Sequence, residues 1–303
     1  IFKNISFCKN DIVQFNPDVI IFIDYPGFNM RIAKWAKKKG IKTHYYISPQ
    51  IWAWKESRIK AIKRDVDQMY VILPFEKPFY EDKHQFPVHF VGHPLIDEIS
   101  NRNQVDEALF KKENGLDQRP IIAILPGSRK QEISKMLEIM LSIVDDFLAY
   151  QFVIAGAPSQ DKLFYTSMIK TPNVHLLLNK TYDLLSISYA ALVTSGTATL
   201  ETALFKVPQV VCYKGNQISY EIAKRIIKLK YISLVNLILD REVVTELIQS
   251  EFNKKRVSQE LTKILDEHHR SNLFSNYYDL EDRLGGIGAS EKTAKIIIEE
   301  LKK

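Results

Sequence analysis

The sequence predicts an α/β protein of two domains, each a parallel sheet with helices on both faces. Three observations predict it. Apolar runs of strand length recur along the chain, Val19–Ile23 and Ile121–Leu125 among them. Stretches with helical apolar spacing alternate with those runs. One polar, charged segment, Asn101–Arg119, interrupts the alternation, and a second strand–helix series begins at Pro120. At roughly 100–200 residues per domain, the 303 residues suit two such domains, expected at residues 1–100 and 101–270. The result is a pair of Rossmann-like domains facing a cleft, with ligands expected beyond the carboxyl ends of the strands.

In the first series, Asp18–Asp24 reads as a buried strand and Tyr25-Pro26-Gly27 as the turn after it. Phe28–Lys39 has helical spacing and Gly40 is its stop signal. Lys42–Ile47 is the next strand, Glu56–Arg64 a basic helix, and Gln68–Leu73 a third strand. Phe75–Lys83 is helical behind Pro74, and His89–Val91 is a short strand leading into Gly92-His93-Pro94. Asn101–Arg119 is a linker or a short connecting helix. In the second series, Pro120–Leu125 runs through Pro126-Gly127-Ser128-Arg129 into a helix from Gln131 to about Tyr150. Gln151–Ala155, ended by Gly156, and Val174–Leu178 are strands. Ala191–Thr194 runs into Ser195-Gly196-Thr197 and a helix through Phe205, and Gln209–Cys212 is a further strand. The remainder reads as mainly helical, broken at Gly285–Gly288.

Lys and Arg number 42 against 36 Asp and Glu, a net charge of +6. Such an excess suits phosphorylated ligands, an anionic lipid surface or nucleic acid, or is a solvated surface with no partner. The chain has no recognition-helix signature, ribonucleoprotein motif or basic repeat, so no nucleic-acid partner is expected. Cys8 and Cys212 read as reduced core thiols of a cytosolic protein. The apolar runs fall far short of the ~20 residues that span a bilayer, and no signal peptide is visible. The chain opens at Ile1 without a methionine, which suggests a missing start.

Leu125-Pro126-Gly127-Ser128-Arg129 carries the strongest chemical signal. A buried strand ends, a glycine frees the turn, and a helix turns its free N–H groups toward the space above the sheet. Arg129 adds a planar donor suited to phosphate oxygens; the plain alternative is a strand–helix turn with a surface arginine. Val193–Glu201 repeats the pattern around Ser195, Gly196 and Thr197. Ser195 or Thr197 can also cap the helix. Glu201 suits ribose hydroxyls, or simply favourable placement near a helix N-terminus. Neither loop is a dinucleotide fingerprint or a P-loop. Asp24, at a strand end, suits a general base or a turn. Asp65-Val66-Asp67 has the form of a metal-binding D-x-D but sits at the wrong end of a strand, so it reads as a helix–strand connection. No metal is expected, and His44, His93 and Cys212 lack ligand spacing. Tyr45–Arg64 mixes aromatic and basic residues, which suits a membrane interface or acyl groove as well as a core strand followed by a solvated helix.

These motifs resemble a known family. Ile23–Asn29, Tyr45–Ile59, Ile72–Tyr80, Phe90–Ile99, Leu125–Ile133, Val193–Leu204 and Tyr231–Gln249 are collinear with motifs of the lipid-A-disaccharide synthases and cover nearly the whole chain. The resemblance implies the GT-B fold, with the sugar nucleotide held mainly by the C-terminal domain and terminal helices, residues 271–303, packing back toward the N-terminal one. It implies a metal- and cofactor-free reaction joining UDP-2,3-diacylglucosamine to 2,3-diacylglucosamine 1-phosphate (lipid X). The products are the β-1,6-linked disaccharide 1-phosphate and UDP, made by a peripheral enzyme at the cytoplasmic face of the inner membrane. It leaves a homodimer open. By the resemblance, Asp24 is the base for the acceptor hydroxyl and Arg129 the arginine at the diphosphate. Gly127, Ser128, Ser195, Gly196, Thr197, Glu201, Asn236, Arg241 and Glu242 surround the nucleotide, and Asn29, Ser48, Trp52 and Trp54 lie on the acceptor, lipid or membrane side. Two departures stand out: Gly27 replaces a second acidic residue of the Asp24 motif, and the family's opening strand and Gly-Glu-x-Ser-Gly-Asp loop have no counterpart. The alternatives are another GT-B enzyme acting on a UDP-N-acetylglucosamine-type sugar, or a non-catalytic nucleotide-sugar- or lipid-binding relative.

Overall fold

The structure is a computed structural model that describes residues 2–217, 220 and 229–302. The described residues divide into two compact units. One holds residues up to Ser100 and from Asp282 onward; the other holds those from Asn101 to Glu281.

The first unit begins with α1 (Phe2–Phe15), then β1 (Val19–Ile23), α2 (Pro26–Lys38) and β2 (Lys42–Tyr46). A single 3₁₀ turn, Glu56–Arg58, leads into α3 (Ile59–Asp65) and β3 (Gln68–Val71). α4 (Glu76–Pro78) runs into a π-turn at Phe79–Lys83, followed by β4 (His89–Phe90) and α5 (Pro94–Ser100). The strands pair in parallel in the order β1-β2-β3-β4. Ile32, Ala33 and Ala36 of α2 join Phe22, Tyr45, Ile62, Met69 and Tyr80 in the core, each large side chain worth about 1.5–3 kcal/mol on burial. Ile5, Cys8 and Ile12 of α1 pack on that core from helical spacing.

Residues 282–302 complete this unit. Asp97 of α5 receives the start of α14 (Ala289–Lys302): its Oδ1 accepts from the Gly288 N–H at 2.6 Å and its Oδ2 from Ser290 at 3.0 Å. The His93 N–H donates to the Leu284 carbonyl at 2.9 Å. Backbone crosses backbone here, so both positions require glycine. A Cβ on Gly92 (φ +93°) would lie 3.2 Å from the Leu284 oxygen, and one on Gly285 (φ +91°) 3.1 Å from the Gly92 Cα.

The second unit follows the same plan. Its chain order is α6 (Glu107–Glu113), β5 (Ile121–Leu125), α7 (Lys130–Leu141), β6 (Gln151–Gly156), α8 (Lys162–Thr166), β7 (Val174–Leu178), α9 (Thr181–Ser186) and β8 (Ser188–Thr194). Then come α10 (Thr197–Leu204), β9 (Gln209–Tyr213), α11 (Leu234–Leu239), β10 (Glu246–Ile248), α12 (Lys254–Leu265) and α13 (Glu267–Arg283). Among the described residues the sheet order is β10-β9-β8-β5-β6-β7, all parallel. The chain winds outward from β5 in one direction and from β8 in the other, so the order reverses between these two strands. Every residue of β5 is buried, as a strand covered on both faces requires. The second domain was expected to end at residue 270, but α13 is fastened to this unit as far as Glu281. Arg270 Nη1 donates to the Tyr189 carbonyl at 2.7 Å, Arg241 pairs with Asp279 at 2.8 Å, and Lys206 pairs with Glu281.

Several sequence expectations are corrected. The strand expected to be buried is not: among the described residues β1 is the outermost strand, Phe22 turns inward, and Ile21 and Ile23 are 42% and 56% exposed. α7 stops at Leu141, because the Ser142 hydroxyl and N–H both turn back to the Ile139 carbonyl and a 3₁₀ turn, Val144–Asp146, follows. α1 and β10 went unrecognised. The segment Asn101–Arg119 takes the second of its two expected forms, a short connecting helix: α6, capped by Asp106, which accepts from the Leu109 N–H at 3.0 Å. Residues 218, 219 and 221–228, within the stretch expected to be helical, lie outside the described residues. No helix among the described residues is long and apolar enough to cross a membrane.

Burial pushes His93 down to about 4, so the ring is neutral and its Nδ1 accepts the Leu95 N–H at 3.2 Å. The unfolded chain protonates this ring near pH 6.5; between there and about 4 the unfolded state binds the extra proton. Stability is therefore full above pH 6.5 and falls, by about 3 kcal/mol in all, as the pH drops through that window. Thermal midpoints measured from pH 7 to pH 4 should fall more steeply for the parent chain than for His93→Asn, which keeps an acceptor without the titration.

Candidate functional site

The second unit carries a hollow of about 520 Å³ above the reversal point of its sheet. Parallel pairing sets Leu125 of β5 opposite Val193 of β8, so the turns that follow both strands emerge side by side. Gly127 adopts φ +103°, which calls for glycine; a Cβ there would also displace the Glu132 carboxylate, whose Oε2 would lie 2.9 Å away. The Ser128 carbonyl is held by Gln160 Nε2 at 2.9 Å and Ser159 Oγ at 3.4 Å. Arg129 occupies the N-cap position of α7 with extended backbone. Its side chain is exposed and makes no hydrogen bond or ion pair among the described residues.

Gly196 stands at the head of α10 with φ 142° and no atom within 4 Å of where a Cβ would sit, so the backbone is open to close approach. Neither Ser195 nor Thr197 caps this helix, so the capping alternative does not account for them. The Ser195 hydroxyl donates instead to the Ile232 carbonyl at 3.0 Å, tying the loop before α11 to the wall of the hollow. The unpaired N–H groups of two helix starts thus converge on one space, with the positive ends of both dipoles. Glu201, one turn into α10, also lines the hollow, its Oε1 accepting from the Tyr182 hydroxyl at 2.8 Å. Gly127, Ser128, Arg129, Ser195, Gly196, Thr197 and Glu201 all line the hollow. The combination suits a ligand with an anionic part and a hydroxylated part.

Asn236, Arg241 and Glu242 do not line it. Asn236 is fully buried: its Nδ2 donates to the Val244 carbonyl and to Glu246, and its Oδ1 accepts from the Val243 and Val244 N–H groups. Arg241 forks onto Asn276 and Asp279 of α13, and Glu242 is exposed.

In the first unit, Asp24 follows β1 with φ 43° and Tyr25 with φ 44°. Two successive left-handed non-glycine residues store roughly 1–3 kcal/mol each, and four hydrogen bonds hold them. The Asp24 N–H donates to Tyr46 O at 3.1 Å, the Asp24 carbonyl accepts from Tyr45 Oη at 2.6 Å and Asn29 Nδ2 at 2.7 Å, and the same amide reaches Ile23 O at 3.0 Å. Burial pushes the Tyr45 hydroxyl up, so it stays a donor. Asn29 is therefore the brace of this turn. The Asp24 carboxylate itself is left exposed at the strand's carboxyl end.

Ser48 and Trp52 are fastened by a residue the sequence reading passed over. Glu76 is 1% exposed and takes four hydrogen bonds: Ser48 Oγ at 2.5 Å, Trp52 Nε1 at 3.1 Å, and the Ile72 and Leu73 N–H groups at 3.1 and 2.9 Å. Burial pushes its carboxyl up while these donors pull against that. Trp52 also packs edge-on against Phe75 at 4.8 Å. Trp54 is 49% exposed, with the Lys55 ammonium 4.0 Å and the Arg58 guanidinium 5.6 Å from its ring. A carboxylate inside the aromatic run Ile72–Tyr80 was the signal for Glu76. Asp65 ends α3, and Asp67 accepts from the Thr43 N–H and pairs with Lys37, which makes D-x-D a helix–strand connection.

Residues 1–296 match the family model described as lipid-A-disaccharide synthetase. The chain is 38% identical over 311 residues to the lipid-A-disaccharide synthase of Geobacter metallireducens, covering 100% of this chain and 80% of that one. It is 39% identical to that of Syntrophus aciditrophicus, covering 97% and 79%. Among solved structures it is similar to the UDP-GlcNAc 2-epimerase of Neisseria meningitidis bound to UDP-GlcNAc (TM-score 0.66, 14% identity, 99% of this chain and 80% of that one). It is also similar to MnaA of S. aureus, solved with UDP (TM-score 0.69, 14% identity, 99% and 80%). The fold is GT-B.

Removing Glu76 leaves four donors unpaired, two of them backbone. Glu76→Ala should destabilise the first unit by on the order of 3 kcal/mol, read as a lower denaturation midpoint followed by tryptophan fluorescence.

Proposed function

The chain belongs to the lipid-A-disaccharide synthetase family, and on that footing we propose that it joins UDP-2,3-diacylglucosamine to lipid X, releasing UDP and the β-1,6-linked disaccharide 1-phosphate. The observation that carries this reading is the hollow itself: two glycine turns, two helix starts, Arg129 and Glu201 around a single space.

In the proposed reaction the donor's diphosphate lies against the N–H groups at Gly127–Arg129 and Gly196–Thr197, and Glu201 takes the ribose hydroxyls. The Asp24 carboxylate removes the proton from the acceptor's 6-hydroxyl. That oxygen attacks the anomeric carbon from the face opposite the diphosphate, the bond to UDP breaks, and the configuration inverts. Negative charge grows on the departing diphosphate, where fixed N–H groups and Arg129 meet it. The chemistry thus needs no metal, and turnover should persist in excess chelator. Asn29 and Tyr45 act by holding the strained turn that presents Asp24.

The surface formed by Trp54, Lys55 and Arg58 supports docking on an anionic bilayer, with the indole at the headgroup level and the cations on phosphate. The membrane proposed is the cytoplasmic face of the inner membrane.

Arg129→Ala should lower kcat/KM by about 10²–10³-fold. Asp24→Asn should lower kcat by roughly 10²–10⁴-fold with the donor KM little changed; undiminished turnover in Asp24→Asn rejects the base assignment. For the membrane reading, the chain should float with anionic vesicles at low ionic strength and be released at 1 M salt, where screening acts within about 3 Å. Trp54→Glu should abolish flotation, and equal flotation of parent and variant rejects the docking surface.

A further inference from the structure

Glu201 is not alone on its wall of the hollow. Its Oε1 is taken by the Tyr182 hydroxyl at 2.8 Å, and among the described residues no hydrogen bond is made to its Oε2. Tyr182 comes from the first turn of α9, on the strand–helix connection after β7, whereas Glu201 comes from α10. The ring of Tyr182 is wedged in place: it lies 5.3 Å from the Phe205 ring, and the Arg102 guanidinium sits 5.1 Å over its centre while pairing with Asp183 at 2.8 Å. The residue before it, Thr181, lines the hollow beside Glu201.

A glutamate side chain with both oxygens free rotates about its last bond across a broad range. A donor on one oxygen, itself held by packing, fixes the carboxylate plane before a ligand arrives and leaves the second oxygen to accept from that ligand. Ordering done in advance is ordering that binding need not supply. We propose that Tyr182 is the positioning residue for Glu201, setting the angle at which its free oxygen meets the vicinal hydroxyls of a ribose. This rests on the reading of the hollow as a nucleotide-sugar site. Arg102, stacked on the ring, holds the tyrosine in turn.

The test is calorimetric titration of the chain and of Tyr182→Phe with three probes: UDP, 2′,3′-dideoxy-UDP and inorganic pyrophosphate. The parent should bind UDP at least tenfold more tightly than the dideoxy analogue. Tyr182→Phe should lose on the order of tenfold in UDP affinity, leave pyrophosphate and dideoxy-UDP binding unchanged, and so compress the ribose discrimination to within about threefold. Full discrimination in Tyr182→Phe would overturn the positioning role while leaving the nucleotide reading intact. Equal binding of UDP and its dideoxy analogue by the parent overturns both. Loss of pyrophosphate binding in the variant assigns Tyr182 to the fold and overturns the proposal.

Discussion

The pairing of β5 with β8 is the constraint on which the site depends. Two strands far apart in the chain lie parallel with Leu125 opposite Val193. Parallel strands end at the same edge, so the glycine turns at Gly127 and Gly196 open together and the helices after them begin together. The register shifts by one residue between Ile121 and Ile122, and the pairing is then regular from Ile122–Ala190 to Leu125–Val193. That regular run, buried on both faces in β5, sets where two sets of backbone donors converge. Their electrostatics come from the main chain and require only that glycine stand where φ is positive.

The strand ends of the first unit are held by different means. There side chains make hydrogen bonds that reach from one strand end to the next. Asp24 sits in a left-handed turn that the isolated dipeptide would disfavour, and Tyr45, Tyr46 and Asn29 over-determine it. Glu76 performs the same service one strand over, binding the loop of Ser48 and Trp52 to the end of β3. A buried carboxylate is expensive to desolvate and is retained where all its partners are in place. One unit thus offers preset dipoles, and the other offers a carboxylate on a braced turn.

What was legible in the sequence follows from this difference. β5 and the turn at Gly127 could be read because an uninterrupted apolar run ended by Pro126-Gly127 has few other solutions; β7, a short apolar run broken only by His175 between Asn173 and Asn179, falls at Val174–Leu178, as the sequence predicts. The glycines and Arg129 belong to one hollow because they follow strands, and strand ends are local signals. Illegible were features set by distant partners. Glu76 looks like a surface charge until Ser48 and Trp52, more than twenty residues earlier, close over it. Ser195 looks like a cap until Ile232 claims its hydroxyl. Asn236 sits in a motif stretch, but its amide is consumed by Val243, Val244 and Glu246. α1 lacks acidic residues in its first turn and basic ones in its last, so its ends carry no electrostatic mark. β10 is a three-residue edge strand, too short to carry a period.

The outer rim of β1 has a consequence of its own. Among the described residues no strand lies beside it on that side, and Ile21 and Ile23 sit on the surface there. Such a rim can accept a further parallel strand, whichever chain supplies it, and Ile21 and Ile23 are the side chains that strand would cover.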